Sequence, residues 1–187
     1  RVAQRMGADI AFEDEAGIGI LARSGRTWGE VNKTPVVTVN QQRGGYNVLS
    51  AITAAGELTF DIEEKSIDGK RYIEFLEKLL VDRTHPLIVI ADNATFHRSK
   101  EVREFVRGHR HQIRMFFFPR YAPKLNPDEQ VWNEIKHRNL EKEPIKNKSD
   151  LNRRIDGLLR SLKEKADKVR SFFQLDDTKY AAIPEPA

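Results

Sequence analysis

Alternating apolar and polar residues predict that the first part of the chain is mainly antiparallel sheet. Residues 9–15 alternate as a strand does, with one face formed by Ile10, Phe12 and Asp14. The other face carries Ala11, Glu13 and Glu15. Glycines then interrupt the pattern and predict a loop with at most short pieces of strand (Gly17, Gly19, Gly25 and Gly29). Further strands are predicted at residues 35–40, 46–53 and 58–67, the last two joined as a hairpin.

The pattern changes to alternating helices and strands in the middle of the chain. Asp68 is a predicted N-cap, and apolar residues recur after it at helical spacing (Tyr72, Ile73, Phe75, Leu76, Leu79 and Leu80). Residues 87–91 are apolar on both faces, which predicts a central strand that ends at Asp92. A basic amphipathic helix is predicted at residues 99–109 and another buried strand at residues 113–118.

Helices are predicted to complete the chain after a proline-containing loop at residues 119–127. Asn126 as N-cap, Pro127 at the first helical position, and the acids Asp128 and Glu129 mark the start of the first helix. Residues 141–149 are a predicted connector. Apolar residues at every third or fourth position then predict one long helix over residues 149–174, followed by a loose tail at 176–187.

This order of elements predicts an α/β fold in which a mixed sheet of about five strands is flanked by helices, with a long C-terminal helix. With 187 residues, one domain is large enough to bury a substantial core. We expect residues 1–140 to form that core and residues 141–187 to form a helical extension and tail packed on it. Arg1 is not a natural start residue, so we expect upstream sequence to be missing.

Composition excludes some classes of protein and favours others. The absence of cysteine excludes disulfides and thiolate metal sites and is compatible with a reducing cytoplasm. The apolar runs are too short to cross a bilayer, so no membrane partner is expected. Residues 93–140 carry 10 Lys/Arg against 5 Asp/Glu, whereas residues 1–92 carry 11 against 14. This distribution suits either a solvated surface or an enzyme that acts on a polyanion.

Three acids lie where a metal site would need them: Asp14 in the first strand, Asp92 after a buried strand, and Glu129 in the first turn of a helix. Oxygen ligands of this kind suit Mg²⁺ or Mn²⁺. Each acid also has a structural interpretation. Asp92 is able to cap the following turn, and Glu129 is able to bond back to Asn126 in a capping box. Asp14 has acidic neighbours on both sides.

The motifs around these acids resemble those of DDE transposases, most closely the bacterial insertion-sequence relatives of the mariner superfamily. The resembling segments are Phe12-Glu13-Asp14-Glu15, Asp92-Asn93-Ala94 with His97, and residues 121–129 (YAPKLNPDE) with Trp132. The second and third acids are separated by 36 residues, which also fits that group. Such transposases usually carry an N-terminal helix-turn-helix region that reads the transposon ends, and nothing in this chain corresponds to it.

The resemblance implies a ribonuclease H-like fold with Asp14, Asp92 and Glu129 as the catalytic, metal-binding triad for two Mg²⁺ or Mn²⁺ ions. It implies cleavage at transposon ends and transfer of the 3′-hydroxyl to target DNA, without a covalent protein intermediate. Double-stranded DNA is the implied partner, with a possible homodimer in the DNA complex. The implied location is the bacterial cytoplasm, associated with the nucleoid.

Residues around the triad are assigned supporting roles. Asn93, His97 and Asn126 are candidates to orient a metal ligand or contact a phosphate. By charge and placement, candidate phosphate contacts are Lys33, Arg43, Arg98, Arg120, Lys124 and Lys136. Two other functions stay open: an inert transposase-derived DNA-binding or scaffolding module, and a ribonuclease H-like nuclease that acts on another nucleic acid.

Overall fold

The computed structural model describes residues 2–20, 30–31, 33, 44–140 and 145–182, apart from the side chains of residues 137–139. The predicted strand at residues 35–40 and the candidate phosphate contact Arg43 therefore lie outside the described residues. The same holds for Gly25 and Gly29 of the predicted loop and for residues 141–144 of the predicted connector.

A five-stranded mixed sheet forms the centre of the fold and confirms the predicted class. Its strands lie in the order β3-β2-β1-β4-β5. β1 pairs antiparallel with β2 and parallel with β4, while β3 and β5 occupy the edges. The bounds of the strands are β1 Asp9–Gly19, β2 Gly45–Thr53, β3 Leu58–Glu63, β4 Leu87–Ala91 and β5 Ile113–Phe117.

Helices cover both faces of the sheet. A short helix, α1, precedes the sheet, and α2 and α3 pack on the face that carries Ala11 and Val89. Asp68 and Ser99 cap α2 and α3 through their side chains, as the sequence predicts for Asp68. The helices α4, α5 and α6 pack on the opposite face, which carries Phe12 and Ile52. The helices span α1 Val2–Met6, α2 Gly69–Leu80, α3 Lys100–Gly108, α4 Glu129–Trp132, α5 Lys148–Lys163 and α6 Ala166–Ser171.

The prediction of a loop from Gly17 onward is wrong for the first two glycines. β1 continues through Gly17 to Gly19, because β2 supplies an antiparallel partner along this whole stretch and pairs Gly45 with Gly19. Ile18 is buried within it. Pairing between strands therefore overrides the weak strand propensity of glycine here.

The prediction of another buried strand at residues 113–118 is right about the strand, which spans Ile113–Phe117, but wrong about its burial. β5 pairs with β4 on one side only, so it is an edge strand. Ile113 is buried, but Arg114 and Phe116 are exposed. An apolar run of five or six residues does not distinguish a central strand from an edge strand.

The predicted helix over residues 149–174 is confirmed as far as Lys163 and then breaks. Lys165 leaves the helical conformation, with φ −108° and ψ 65°, and α6 begins at Ala166. The break brings Ala166 against the β2–β3 turn, where Gly56 has φ +93° and a side chain would lie 2.6 Å from the Ala166 carbonyl oxygen. Arg170 then donates a hydrogen bond to the Ala55 carbonyl. A packing contact distant in sequence thus decides where the helix ends.

The predicted loose tail is wrong for residues 176–182. Thr178 is buried, and its hydroxyl donates to the Phe172 carbonyl. The Tyr180 hydroxyl donates to the Leu125 carbonyl at 2.7 Å, and its ring meets the edge of Phe12. These contacts fix the segment to the core, beside the loop that leads to α4. No helix among the described residues is long and apolar enough to cross a membrane.

Candidate active site

The fold brings the three predicted acids into one electrostatic neighbourhood. Asp14 lies in β1 at the middle of the sheet, and Asp92 directly follows the adjacent strand β4. Glu129 is the first residue of α4. Burial and then the charge of Glu129 raise the pKa of Asp14, and burial raises the pKa of Glu129, with a contribution from the charge of Asp92. Glu129 is therefore close enough to Asp92 and Asp14 for their charges to interact, although the pKa of Asp92 itself is lowered.

Asp14 is the most perturbed of the three acids. Burial, followed by the negative charges of Glu129 and Glu13, raises the pKa of Asp14 to about 8. Two hydrogen bonds oppose this effect, one from the Glu15 backbone and one in which the Trp132 indole N–H donates to Asp14 Oδ2 at 3.0 Å. Trp132 belongs to the third motif, so the first and third motifs are in direct contact.

Asp92 is held by its own motif. The Ala94 backbone N–H donates to Asp92 Oδ1 at 2.7 Å, and His97 Nδ1 lies 2.9 Å from the same oxygen. The hydrogen bond with His97 lowers the pKa of Asp92, and the Ala94 N–H contributes. The predicted turn-capping interaction of Asp92 is therefore present, in combination with the histidine.

Glu129 does not form the capping box that its position allows. The Asn126 backbone N–H, which such a glutamate would accept, donates instead to the Pro123 carbonyl at 2.8 Å. Asn126 still caps the turn, because its side chain accepts from the Asp128 N–H. The predicted start at Pro127 is wrong, since α4 begins two residues later. Burial raises the pKa of Glu129, while Lys136 lowers it.

A buried ion pair lies beneath Asp92. Glu13 and His97 have side chains that are 0% and 1% exposed, and His97 Nε2 lies 3.1 Å from Glu13 Oε2. The Tyr72 hydroxyl also donates to Glu13 Oε2, at 3.3 Å. Although burial opposes it, the charges of Glu13 and Asp92 and their hydrogen bonds raise the pKa of His97 to about 10. His97 is thus a cation between two carboxylates.

A fourth acid, Asp128, is buried beside Asp14. The Ser50 hydroxyl, which lies opposite Asp14 in the β1–β2 register, donates to Asp128 Oδ2. Among the described residues, Asp128 Oδ1 has no hydrogen-bond partner. Burial, and then the charge of Asp14, raises the pKa of Asp128 well above its ordinary value. Sequence reasoning placed Asp128 only in a helical turn and did not find its contact with Ser50.

The supporting residues are placed in three ways. Asn93 donates to the Phe118 carbonyl and accepts from Arg98, so it ties the second motif to β5. Asn126 donates to the Glu13 carbonyl at 3.0 Å, which ties the third motif to β1. Lys33 forms an ion pair with Glu30. Of the other described candidate cations, Arg98 directly follows His97 of the second motif. Lys124 lies within the third motif, Arg120 directly before it and Lys136 after it.

The donor set fits a hard divalent cation in its chemistry. Asp14, Asp92 and Glu129 provide only oxygen ligands, and the pKa values of Asp14 and Glu129 are raised by burial and then by neighbouring negative charge, which a bound cation would offset. No group of three His, Asp or Glu side chains in the described ranges is arranged to hold a metal ion. The Asp92 carboxylate contacts His97 and the Asp14 carboxylate contacts Trp132, so the binding of a metal ion by both requires their side chains to rotate.

A mixed sheet of this order, with acids on β1, after β4 and on the following helix, defines a ribonuclease H-like protein. The sequence profile of the DDE superfamily endonucleases matches residues 9–152. The chain therefore belongs to the DDE superfamily endonuclease family. Among curated proteins, none matches the sequence.

Solved structures of a mariner transposase, Mos1, have the same fold. The pre-cleavage Mos1 transpososome is 13% identical with a TM-score of 0.67 over 98% of this chain and 60% of the other. The Mos1 paired end complex with Mn is 14% identical, with a TM-score of 0.66 over 95% and 57%. The Mos1 catalytic domain is 14% identical, with a TM-score of 0.61 over 98% of this chain and 89% of the domain. The chain thus spans a little over half of the longer transposase chains and most of the catalytic domain.

Proposed function

We propose that this chain is the catalytic domain of a DNA transposase that cuts phosphodiester bonds at transposon ends and joins the freed 3′-hydroxyl to target DNA. The observation that carries the proposal is that Asp14, Asp92 and Glu129, one from each DDE motif, lie in electrostatic range: the charge of Glu129 contributes to the raised pKa of Asp14, and that of Asp92 to the raised pKa of Glu129. Carboxylates that lie this close together on a ribonuclease H-like sheet are suited to hold cations rather than to stabilise the fold.

Asp14, Asp92 and Glu129 are the proposed ligands of two Mg²⁺ or Mn²⁺ ions. When bound, such ions activate a water or hydroxyl and stabilise the leaving oxygen of an in-line displacement. The chain itself supplies the orientation of the ligands. Trp132 fixes Asp14 through its indole N–H, and the rigid turn around Asn126 fixes the start of α4. Solved Mos1 paired end complexes with Mn and with Mg support the metal assignment.

The Glu13–His97 pair is proposed to position Asp92. His97 is buried and touches both Glu13 and Asp92, so its ring orientation is determined by the carboxylate beneath it. Such partners of metal ligands usually affect metal affinity by about 10- to 100-fold. The proposed role of His97 is therefore to orient a ligand, without contacting the substrate.

Double-stranded DNA, comprising transposon ends and target, is the proposed partner, with a homodimer in the DNA complex. Mos1 structures described as paired end complexes support this proposal. Proposed phosphate contacts near the site are Arg98, Arg120, Lys124 and Lys136, with Lys33 and Arg43 further along the chain. Residues 1–140 are the proposed catalytic core and residues 141–187 its helical extension. The proposed location of the protein is the bacterial cytoplasm, in association with the nucleoid.

A cleavage assay tests the proposed function. Incubated with Mn²⁺ or Mg²⁺, the chain is expected to cut DNA that carries its transposon end, leaving 3′-hydroxyl termini and no protein–DNA adduct, and EDTA is expected to abolish the reaction. Binding without cleavage under every divalent ion would support an inert scaffolding module instead. Preferential cleavage of RNA–DNA hybrids would support a nuclease with another substrate.

Replacing His97 by glutamine is expected to weaken Mn²⁺ binding by about 10- to 100-fold, because Asp92 loses its charged partner while Glu13 is left buried and unpaired. Titration calorimetry measures the affinity. The double variant Glu13→Gln/His97→Gln removes both charges, so it controls for the unpaired glutamate. We expect it to fold more stably than His97→Gln while still binding Mn²⁺ weakly. Unchanged affinity in the double variant would contradict the positioning role.

A further inference from the structure

A groove of about 430 Å³ runs along the open edge of the sheet, between α3 and β5. One side of α3 and all five residues of β5 line it, and one end reaches His97. We refer to it as the α3–β5 groove. Because His97 contacts Asp92, the groove begins beside the candidate active site.

Four arginines and no acidic residue line the α3–β5 groove: Arg103, Arg107, Arg110 and Arg114. Arg103 and Arg107 share one side of α3, Arg110 lies in the turn after α3, and Arg114 lies on β5. All four residues are exposed. Within the described ranges their side chains form neither an ion pair nor a hydrogen bond. The groove is therefore a row of cations that lacks counterions.

The floor of the α3–β5 groove is apolar and partly aromatic. Phe116 is 43% exposed, and Phe117 lies under the guanidinium of Arg98, 4.3 Å from the ring centroid. Cations beside exposed aromatic rings are the combination with which proteins bind single-stranded nucleic acid. Cations on an edge strand also prevent it from pairing with another copy. That function accounts for Arg114 but not for Arg103 and Arg107, which lie on a helix.

We propose that the α3–β5 groove binds a single-stranded segment of DNA, with the arginines on its phosphates and Phe116 against a base. The length of β5 is about 16 Å, which corresponds to a few nucleotides. The inference rests on the proposed function and deepens it, because it gives a path for one DNA strand as it leaves Asp92. A second copy of the chain is a poor occupant, since its own arginines would be repelled.

Fluorescence anisotropy with labelled oligothymidine, in EDTA, tests the groove without requiring cleavage. The triple variant Arg103→Gln/Arg107→Gln/Arg110→Gln is expected to reduce the slope of log affinity against log salt by about 2, and Arg107→Gln alone by about 0.7. Phe116→Ala is expected to weaken binding by about tenfold with the slope unchanged, because it removes stacking and no charge. Circular dichroism confirms that each variant is folded.

Matched controls lie on the opposite face of the sheet. Arg160→Gln/Lys163→Gln/Lys165→Gln removes three exposed cations at the end of α5 and just after it, of which Arg160 pairs with Asp156. Leu175→Ala removes an apolar side chain that is 44% exposed. Both should bind as the unmodified chain does. Asp92→Asn should also retain oligothymidine binding, so loss of cleavage and loss of groove binding are separable.

Four results would overturn the groove assignment. The first is that the unmodified chain does not bind oligothymidine. The second is that the α5 control reduces the salt dependence of binding as much as the triple arginine variant does. The third is that Phe116→Ala weakens the binding of duplex DNA as much as that of oligothymidine. The fourth is that polyglutamate displaces labelled oligothymidine as effectively as unlabelled oligothymidine does. That result would indicate an acidic protein as the occupant.

Discussion

Asp92→Asn is expected to lower DNA strand cleavage by about a thousandfold or more, with no loss of fold. The carboxylate is a proposed metal ligand, and stabilisation of the transition state by a bound metal is worth several kcal/mol. Asparagine keeps the oxygen that accepts from the Ala94 N–H, so the turn after β4 is preserved. Cleavage is measured on DNA that carries the transposon end, and the fold by the melting temperature.

Asp177→Asn is the matched control, because Asp177 is an exposed aspartate of the C-terminal segment, remote in sequence from all three motifs. It should cut DNA at the unmodified rate. Cleavage by Asp92→Asn at a rate close to that of this control would rule out Asp92 as a metal ligand in catalysis.

Asp14→Asn is expected to change how the stability of the metal-free protein depends on pH. The pKa of Asp14 is raised from 3.8 to about 8, so the folded state binds this proton more tightly than the unfolded chain does. The stability from protonated Asp14 is fully present below about pH 4 and is lost as the pH rises to about 8. The slope reaches at most about 1.4 kcal/mol per pH unit. Asparagine does not titrate, so the stability of the variant relative to the unmodified chain should increase as the pH rises from about 4 to about 8.

Chemical denaturation in EDTA, at several pH values between 4 and 8, measures this difference directly. Saturating Mn²⁺ should restore stability to the unmodified chain at the upper end of the window, by about 2.7 kcal/mol at a concentration 100 times the Kd, and should do less for Asp14→Asn. Asp177→Asn again serves as the control. If the difference in stability between Asp14→Asn and the unmodified chain does not depend on pH, the pKa of Asp14 is not raised in the folded protein.

The sequence predicts the framework of the site well, because the framework depends on local patterns. Strand parity separates Asp14 from Glu13 and Glu15, and the apolar run before Asp92 identifies a buried strand. The structure agrees, since Asp14 faces Trp132 while Glu13 faces Tyr72 and His97 on the other side of the sheet. The order of strands and helices likewise gives the fold class.

Contacts distant in sequence explain what the sequence does not predict. A glutamate inside a strand gives no sign that a histidine 84 positions later will neutralise it, yet Glu13 and His97 form a buried pair. Strand parity places Glu13 on the face that carries Ala11, opposite Asp14, but does not predict its partner. The same holds for Ser50 and Asp128, and for the break after Lys163, which follows from the contact between Ala166 and Gly56.

The structure of a crystal soaked with Mn²⁺ tests most directly whether the three acids hold catalytic metal. Anomalous scattering locates the ions without reference to the protein. We expect carboxylate oxygens of Asp14, Asp92 and Glu129 within about 2.1 Å of the ions, with Asp92 rotated from its position in the metal-free protein. Ions bound elsewhere, or none bound while Asp14 stays on Trp132 and Asp92 on His97, would contradict the proposed metal site.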